Sequence, residues 1–237
     1  MTLGRAMFLP CRAGSERLAD KNTRPFAGRP GGLLALKLDQ LATTRTLDTI
    51  VVDSNDPIAL DLARARLATW PAHSKLFVHE RPDHLGRPDT TTDDLIAYAL
   101  ATVPCDTLAW THVTSPFVGP DTYDQALTDF AARDPERHDS LMLVLRLQTF
   151  LWHDPAHPTP LNYTPTPLRW PRTQDLAPVF EVNSGLFVVP HAIGLARRDR
   201  IGDSPILYEV DRMTGLDIDH LTDFQLAESC YHLTSGR

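Results

Sequence analysis

Short apolar runs alternate with amphipathic stretches along the chain, and this alternation predicts strands connected by helices. Six predicted strands are apolar runs bounded by turn residues, at 6–10, 49–53, 75–79, 107–111, 140–146 and 186–190. Four predicted helices each have an apolar face, at 33–43, 57–68, 91–102 and 120–132. Such alternation favours a mostly parallel sheet with helices on both faces, a three-layer Rossmann-like α/β fold. Ligands of these folds bind beyond the carboxyl ends of the strands.

The composition narrows the class of protein. A chain of 237 residues, of which 42% are hydrophobic, is long enough to form one domain with a sizeable core. The formal net charge of −7 argues against a nucleic-acid-binding protein, which would present a basic face. The cysteines form no C-x-x-C pair, and no segment has the pattern of a bilayer span or a signal peptide. We therefore expect a cytoplasmic protein with reduced thiols.

The segment after the first predicted strand is basic, in contrast to the chain as a whole. Residues 1–30 carry six Arg or Lys side chains and two acidic ones. Cations beside a glycine and a small hydroxyl can bind a polyphosphate, because backbone N–H groups approach it closely at the glycine. The spacing matches neither common phosphate-loop pattern, and a solvated basic loop is the alternative. The candidate ligands are Arg12, Gly14, Ser15, Lys21 and Asn22.

Two aspartates, Asp217 and Asp219, precede an apolar segment near the end of the sequence. In an extended segment, side chains two positions apart point the same way, and two such carboxylates are costly unless a cation lies between them. Mg²⁺ is bound in this way, through one or two carboxylates together with substrate phosphates. Surface aspartates are the alternative. Thr222 and Gln225 have capping-box spacing, which predicts that a helix starts there.

The segment 148–178 departs from the alternating pattern. It is rich in proline and aromatic residues and has no clean period. An irregular segment of this length is usually functional or part of an interface, and its side chains are too apolar to favour a solvated loop.

The residues from Pro10 to Asn22, P-C-R-A-G-S-E-R-L-A-D-K-N, resemble the first signature of the cytidylyltransferases that activate sialic acids and related acidic sugars. Cys11 replaces the usual alanine, and Glu16 replaces a basic residue, which weakens the local positive field. The resemblance implies a nucleotidyltransferase fold with CTP as substrate and Mg²⁺ bound by Asp217 and Asp219. It also implies that Arg12, Lys21, Asp217 and Asp219 are catalytic, and that Arg12, Ser15 and Lys21 hold the leaving pyrophosphate.

Further segments of the sequence resemble segments of the same family, in the same order along the chain. The segment from Arg81 to Thr92 resembles the one that contacts cytosine and ribose, so these two residues join Arg12, Gly14, Ser15 and Asn22 as nucleotide ligands. An Arg-Pro turn and a helix N-cap are the structural alternatives. His112 stands where the family has a glutamine that contacts the acceptor, although a histidine at a strand end is often structural. The acceptor contacts that the resemblance implies are His112, Ser115, Arg172 and Asn183.

The sequence thus predicts one cytidylyltransferase domain over 1–237, with a dimerisation and substrate arm inserted at about 147–178. The predicted reaction transfers CMP from CTP to an acidic acceptor, a nonulosonic or sialic-like acid sugar, and releases pyrophosphate. The resemblance implies a homodimer in which the arm approaches the site of the partner. Three alternatives remain: a small phosphonate as the acceptor, a metal-dependent glycosyltransferase, whose D-x-D motif follows a mid-chain strand, and a non-catalytic nucleotide-binding module.

Overall fold

The computed structural model describes residues 3–15 and 17–235, so the expectation for Glu16 lies outside the described residues. The strands, in chain order, are β1 (Arg5–Pro10), β2 (Thr49–Ser54), β3 (Lys75–Glu80), β4 (Thr107–Trp110), β5 (Ser140–Leu147), β6 (Trp152–His153), β7 (Thr159–Pro160), β8 (Val179–Pro190) and β9 (Pro205–Val210). The helices are α1 (Gly32–Thr43), α2 (Pro57–Ala65), α3 (Thr92–Thr102), α4 (Pro120–Ala131), α5 (His191–Arg197) and α6 (Leu221–Ser235).

Seven strands form one sheet in the order β3-β2-β1-β4-β8-β5-β9. Neighbouring strands are parallel except where β8 runs antiparallel to both β4 and β5. This confirms the predicted α/β fold with a mostly parallel sheet. Because β8 runs in the opposite direction, its first residues lie at the edge where the other strands end.

The core has two layers, one on each face of the sheet. In β1, Met7 and Leu9 pack against α1, α2, α4 and α6, whereas Ala6 and Phe8 point to the opposite face and pack against α3 and α5. Successive side chains of a strand point to opposite faces, and all four of these are buried. Burial of a side chain as large as Phe8 contributes about 1.5–3 kcal/mol relative to its exposure.

Three elements of the secondary structure, β8, α5 and β9, differ from the sequence prediction. β8 begins at Val179 rather than at 186, and both α5 and β9 are absent from the prediction. β9 is an edge strand whose residues are half-buried or exposed. Its residues 206–208 form a short apolar run, which the prediction missed.

The start of α6 also differs from the prediction. The helix begins at Leu221, and the carboxylate of Asp223 accepts hydrogen bonds from the backbone N–H groups of Asp219 (3.1 Å) and His220 (2.7 Å). The predicted capping box between Thr222 and Gln225 is therefore wrong. A carboxylate in the first turn satisfies backbone donors and also interacts favourably with the helix dipole.

The predicted arm is an excursion between β5 and β8, which pair with each other in the sheet. It contains the short hairpin β6–β7. The side-chain amide of Asn162 links the two ends of the arm. Its Nδ2 donates to the carbonyls of Thr149 (2.8 Å) and Ala177 (2.9 Å), and its Oδ1 accepts from Leu151 N (3.1 Å). Within the part of the chain that is described, no helix is both long and apolar enough to cross a bilayer.

Candidate active site

The basic loop after β1 is fastened to the turn after β2. Cys11 N donates to Asp53 O (2.9 Å), and Ala13 N donates to the side-chain Oδ1 of Asn55 (3.0 Å). Since β1 and β2 are parallel neighbours, both loops leave the same edge of the sheet. The fold therefore holds the predicted phosphate-binding loop where α/β proteins bind their ligands.

Within this loop, Asn22 has a structural contact and Gly14 provides space. Asn22 Nδ2 donates to Arg12 O (3.1 Å), and the Asn22 carbonyl accepts from Leu34 N at the start of α1 (2.9 Å). Gly14 has φ +71°, a conformation that glycine adopts at little cost, and nothing lies within 4 Å of the position that a Cβ would take. Hydrogen bonds therefore fix the loop at Asn22, whereas the space next to Gly14 is unoccupied.

A first cavity, called here the Arg12 cavity, has a volume of about 280 Å³. It lies beyond the ends of β1, β3 and β4 and combines apolar walls with cationic and hydroxyl side chains. Its lining residues are Pro10, Arg12, Arg81, Leu85, Arg87, Pro88, Thr90, Thr91, Thr92, Leu95 and His112. The structure thus brings together Arg12, Arg81 and Thr92, which the sequence analysis assigned to the nucleotide.

Arg81 is a buried ion-pair partner of Asp53. Its Nε donates to the carboxylate of Asp53, and a terminal nitrogen donates to Asp53 O (3.0 Å). Burial raises the pKa of Asp53, while the charge of Arg81 opposes that rise. Two of the three guanidinium nitrogens of Arg81 are therefore engaged inside the protein, and its contact with a nucleotide stays a prediction.

The N-terminus of α3 forms one wall of the Arg12 cavity. Thr91 is the N-cap: its hydroxyl accepts from Asp94 N (3.1 Å), and the Asp94 side chain accepts from Thr91 N (3.3 Å). Thr92 is the first helical residue and is exposed. The predicted ligand Thr92 is therefore not the N-cap, and its contact with a nucleotide stays a prediction.

His112 lies at the Arg12 cavity, directly after β4. Its Nε2 accepts from Trp110 Nε1 (2.9 Å) and lies 3.4 Å from a terminal nitrogen of Arg200. Burial and the positive charges of Arg200, Lys21 and Arg81 lower the pKa of His112 to about 3, so the ring is neutral. The structure places this predicted acceptor contact beside Arg12 and Thr92 rather than beside Asn183.

A second cavity, called here the Asp217 cavity, has a volume of about 660 Å³. It lies at the same edge of the sheet, beyond β5 and β9. It is strongly polar, and its lining residues are Leu145, Leu147, Glu181, Val182, Asn183, Ser184, Arg212, Gly215, Leu216, Asp217, Asp219, His220 and Asp223.

Lys21 joins the basic loop to this second cavity. Its Nζ donates to Ile218 O (2.8 Å) and lies 3.7 Å from Asp219 Oδ1, and Arg17 lies 3.1 Å from Asp219 Oδ2. Burial lowers the pKa of Lys21, and the charges of Asp219 and Asp217 oppose that effect. Two cations of the basic loop therefore meet the two-aspartate segment.

Asp217 is the more buried of the two aspartates. Burial raises the pKa of Asp217, the charge of Asp219 raises it further, and a hydrogen bond from Thr114 lowers it. The backbone supports this position, because Ile218 N donates to Thr114 O (2.9 Å). A cation bound at both carboxylates would remove the cost of holding two negative charges together.

The donor set fits a magnesium ion that shares its coordination with a substrate. Asp217 and Asp219 supply carboxylate oxygens at one cavity, and Mg²⁺ is commonly bound by one or two carboxylates plus phosphates. Among the described residues, no group of three or more His, Cys, Asp or Glu side chains is arranged around a metal position. Mg²⁺ binding at the two aspartates remains a prediction.

Asn183 ties the wall of the Asp217 cavity together. Its Nδ2 donates to Gly215 O (2.7 Å), and its Oδ1 accepts from Gly185 N (2.8 Å). The register of the β5–β8 pair shifts at this point, which marks a bulge of β8 where Asn183 and Ser184 line the cavity. Both polar atoms of this predicted acceptor contact therefore have partners inside the protein, and one N–H of its amide remains.

Ser115 belongs to a buried polar network rather than to a cavity wall. Lys37, which is fully buried in α1, donates from Nζ to Ser115 O (2.9 Å), Val118 O (2.8 Å) and Tyr123 Oη (2.8 Å). Thr111 contacts the same Tyr123 hydroxyl (2.8 Å) and donates to the carbonyl of the β8 bulge. Ser115 is itself fully buried, and its predicted contact with an acceptor would require this turn to move.

Arg172 lies on the arm, and its side chain is 72% exposed. It forms two hydrogen bonds with the carboxylate of Asp175, of 2.8 and 3.0 Å. It lines neither the Arg12 cavity nor the Asp217 cavity of its own chain. A role for Arg172 in the site of a partner subunit remains a prediction.

Sequence reasoning missed three arginines at or near these cavities. Arg87 lines the Arg12 cavity, Arg212 lines the Asp217 cavity, and Arg200 lies behind His112. Arg212 and Arg200 flank β9, so a correct prediction of this strand would have placed Arg212 just beyond a strand end. No local pattern marks Arg200, because its contacts come from β4 and β8.

Comparisons with known proteins agree with this architecture. A synthetase of CMP-2-keto-3-deoxy-manno-octonic acid, solved in complex with CTP, is similar with a TM-score of 0.65 at 15% identity, over 98% of this chain and 99% of that chain. A 4-diphosphocytidyl-2C-methyl-D-erythritol synthase from Anaerococcus prevotii has a TM-score of 0.67 at 10% identity, over 97% and 98% of the two chains. At these identities the likeness establishes a shared fold.

A third similar structure is a cytidylyltransferase from Leptospira borgpetersenii, with a TM-score of 0.55 at 12% identity, over 98% of this chain and 87% of that chain. No curated protein sequence matches the chain. The sequence model of the family described as Cytidylyltransferase matches residues 6–164, which include β1, the basic loop and the Arg12 cavity. Since that match spans well over half of the chain, the protein belongs to the cytidylyltransferase family.

Proposed function

We propose that the protein transfers CMP from CTP to an acidic acceptor, a nonulosonic or sialic-like acid sugar, and releases pyrophosphate. Family membership supports CTP as the donor. The observation that carries the proposal is the contact of Lys21 with Ile218 O and Asp219, which joins the basic loop to the two aspartates. The cations that would hold a leaving pyrophosphate therefore lie close to the carboxylates that would hold a metal.

The reaction requires positioning and charge stabilisation rather than a protein nucleophile. A hydroxyl oxygen of the acceptor attacks the α-phosphorus of CTP in line, so one P–O bond forms as the bond to pyrophosphate breaks, and the hydroxyl proton leaves to solvent. Arg12, Ser15 and Lys21 hold the pyrophosphate, whose negative charge increases as it departs. Asn22 supports this arrangement by fixing the carbonyl of Arg12.

Asp217 and Asp219 would hold Mg²⁺ together with phosphate oxygens of the nucleotide. When bound there, the ion supplies positive charge that stabilises the charge developing at the reacting phosphate. The pKa of Asp217 is raised by burial, and Thr114 donates a hydrogen bond that favours its ionised form.

The acceptor is assigned to the Asp217 cavity. Four carboxylates line it, from Glu181, Asp217, Asp219 and Asp223, and Arg212 is its one Lys or Arg side chain among the described residues. An acidic acceptor needs a cation to balance its negative charge, because it lies beside the phosphates of CTP. A guanidinium binds a carboxylate or a phosphonate through two parallel hydrogen bonds. Arg212 supplies that cation within the chain, and Arg172 of a partner subunit would supply a second.

The experiment that tests the proposal is a pyrophosphate-release assay with CTP and Mg²⁺ against a panel of nonulosonic acids, 2-keto acids and small phosphonates. We expect release with a member of the first class and none with Asp217→Asn. Arg212→Ala is expected to raise KM for the acceptor and to leave KM for CTP near its original value. An equal rise in both constants would contradict the assignment of Arg212.

The same panel decides between the alternatives. Release with phosphonates alone would replace the sugar acid by a phosphonate acceptor. CTP binding without pyrophosphate release on any acceptor would support a non-catalytic nucleotide-binding module and would overturn the proposal.

A further inference from the structure

The geometry points to His112 as the residue that selects cytosine, with its ring presenting an Nδ1–H donor to N3 of a base bound in the Arg12 cavity. This inference rests on the proposed function, since it takes CTP to be bound with its base in that cavity. It reassigns His112, which the sequence analysis placed at the acceptor.

Two donors determine the tautomer of His112. Trp110 Nε1, which can only donate, lies 2.9 Å from Nε2, and a terminal nitrogen of Arg200 lies 3.4 Å from the same atom. Nε2 must therefore carry a lone pair, and in the neutral ring the proton is on Nδ1. Among the described residues, the hydrogen bonds of the His112 ring involve Nε2 and none involves Nδ1, and the residue lines the cavity.

Arg200 is itself held in place by aromatic rings. Its guanidinium carbon lies 3.8 Å from the ring centroid of Phe187 and 5.2 Å from that of Trp110. Both rings are almost fully buried in the core layer that faces α3. Trp110 and Phe187 are paired residues of β4 and β8, so the guanidinium lies over two neighbouring rings. A cation over aromatic faces is stabilised by their quadrupoles, and it disfavours a second positive charge on His112. The ring is therefore rigid, neutral and of one tautomer.

A fixed N–H donor distinguishes the two pyrimidines at N3. Cytosine has a lone pair at N3, which accepts the hydrogen bond, whereas uracil has an N–H group there, which leaves two donors facing each other. A buried donor without an acceptor is costly, and sites built on such a hydrogen bond reject the analogue strongly. Apolar walls from Leu85, Pro88 and Leu95 complete a slot for a flat ring.

The first test is nitrogen NMR of the protein labelled with ¹⁵N-histidine. The resonances of His112, one of ten histidines, are assigned by their loss in His112→Asn. We expect the Nδ1–H tautomer without titration between about pH 5 and 8, and a shift of Nδ1 on adding CTP that UTP does not produce. An Nε2–H tautomer, an imidazolium at pH 6, or equal responses to CTP and UTP would overturn the inference.

The second test compares two substitutions by the ratio of kcat/KM for CTP to that for UTP. Asn places an amide near the position of Nδ1 and keeps a donor, so His112→Asn should retain the preference for CTP. His112→Leu removes the donor and should lower the ratio by roughly 10–100-fold. An unchanged ratio in His112→Leu would overturn the role in base selection.

The two proposals can fail separately. A CTP-specific shift of Nδ1 in a protein that releases no pyrophosphate would contradict the proposed reaction and support base selection. Pyrophosphate release from CTP, together with an Nδ1 resonance that does not respond to CTP, would support the proposed reaction and contradict base selection by His112. The tautomer and the response to nucleotide are read from the native protein, and either folded variant, His112→Asn or His112→Leu, serves to assign the resonances.

Discussion

Lys21 and Ile218 lie 197 positions apart in the sequence, yet the ammonium of the first donates to the carbonyl of the second. The sequence predicted one site for the two motifs because a nucleotide with a bound Mg²⁺ would need both cations and carboxylates. The pairing of Arg81 with Asp53 and the two internal hydrogen bonds of Asn183 carry no such signal. Their side chains are the same types that bind a ligand, and only the fold shows that the protein already engages them.

We expect the buried carboxylate of Asp217 to lower the stability of the folded protein, although the proposed reaction needs it. Because burial raises its pKa, the folded state binds the proton more tightly than the unfolded chain does. The ionised group therefore destabilises the fold at neutral pH, and the fold gains stability as pH falls through the raised pKa. We expect Asp217→Asn to lose activity and to raise Tm at pH 7, by about 2–4 °C per kcal/mol.

Asp219 provides the matched comparison for that prediction. It is 58% exposed and lies beside Arg17 and Lys21, so Asp219→Asn should lose activity without raising Tm. Thermal unfolding without metal and activity at several Mg²⁺ concentrations measure both effects. A lower Tm for Asp217→Asn, or full activity in both variants, would contradict this account of the aspartates.

Arg12 and Lys21 are predicted to act on the chemical step more than on CTP binding. Both face the pyrophosphate in the proposed reaction, and removing one such donor typically lowers kcat by roughly 10²–10³-fold. Steady-state kinetics of Arg12→Ala and Lys21→Ala measure this, with the exposed Lys75→Ala as a control that should keep its activity. A loss confined to KM for CTP would show that these residues only bind the substrate.

At the scale of elements, strands and helices with strong apolar periodicity were predictable from the sequence. The β8 bulge and the strand β9, which shape the Asp217 cavity, were not predicted. The bounds of α4 agree with the prediction to one residue, because four buried side chains share one face. The β8 bulge escaped prediction because its position depends on pairing with β5. The edge strand β9 was missed although it contains a short apolar run. Arg212 follows β9, which explains why it was missed.

Helix α6 connects the end of the two-aspartate segment to the basic loop. Glu228 Oε1 accepts from Ala27 N (2.8 Å), and the guanidinium of Arg24 lies 5.1 Å from the ring centroid of Phe224. Asp223 caps the same helix and holds the backbone of Asp219. Two acidic residues after the aspartate pair, Asp223 and Glu228, therefore help to fix the position of that pair relative to the basic loop.

The ammonium of Lys37 joins α1, α4 and the turn after β4, and we expect its removal to lower stability. Lys37→Met fills similar space but leaves the carbonyls of Ser115 and Val118 and the Tyr123 hydroxyl without this donor. Each buried group that loses its partner costs about 1–3 kcal/mol. Thermal unfolding should therefore show a fall in Tm of several degrees, whereas Lys75→Met, at an exposed site, should not change it. Equal Tm values for the two variants would contradict the structural role.

At the scale of the whole molecule, the arm presents apolar surface. Trp152 is 48% exposed, Leu161 53%, Leu168 63% and Trp170 61%, all within one segment. Phe150 packs edge-on against Tyr163 and Trp170, so the aromatic side chains form an ordered cluster. A patch of this kind commonly marks an interface, which supports the proposed homodimer.

The dimer is tested by mixing two inactive variants, Arg172→Ala and Asp217→Asn, under conditions that allow subunit exchange. If Arg172 acts in the site of its partner, each mixed dimer has one intact site. Activity should then return to about a quarter of the wild-type value under random mixing. The control mixes Asp217→Asn with Asp219→Asn, which cannot complement because both residues serve the same site. A monomeric protein with full activity, or no recovery despite exchange, would remove the role in trans.

The central claim is that CMP is transferred to the acceptor, and ³¹P NMR of the complete reaction with CTP and Mg²⁺ measures this most directly. With a sugar acid as the acceptor, the account predicts that the α-phosphate signal of CTP is replaced by a single phosphodiester signal as pyrophosphate appears in equal amount. A coupled pair of signals would show a phosphonate anhydride instead. Unchanged CTP with every acceptor, or the appearance of free CMP alone, would contradict the claim.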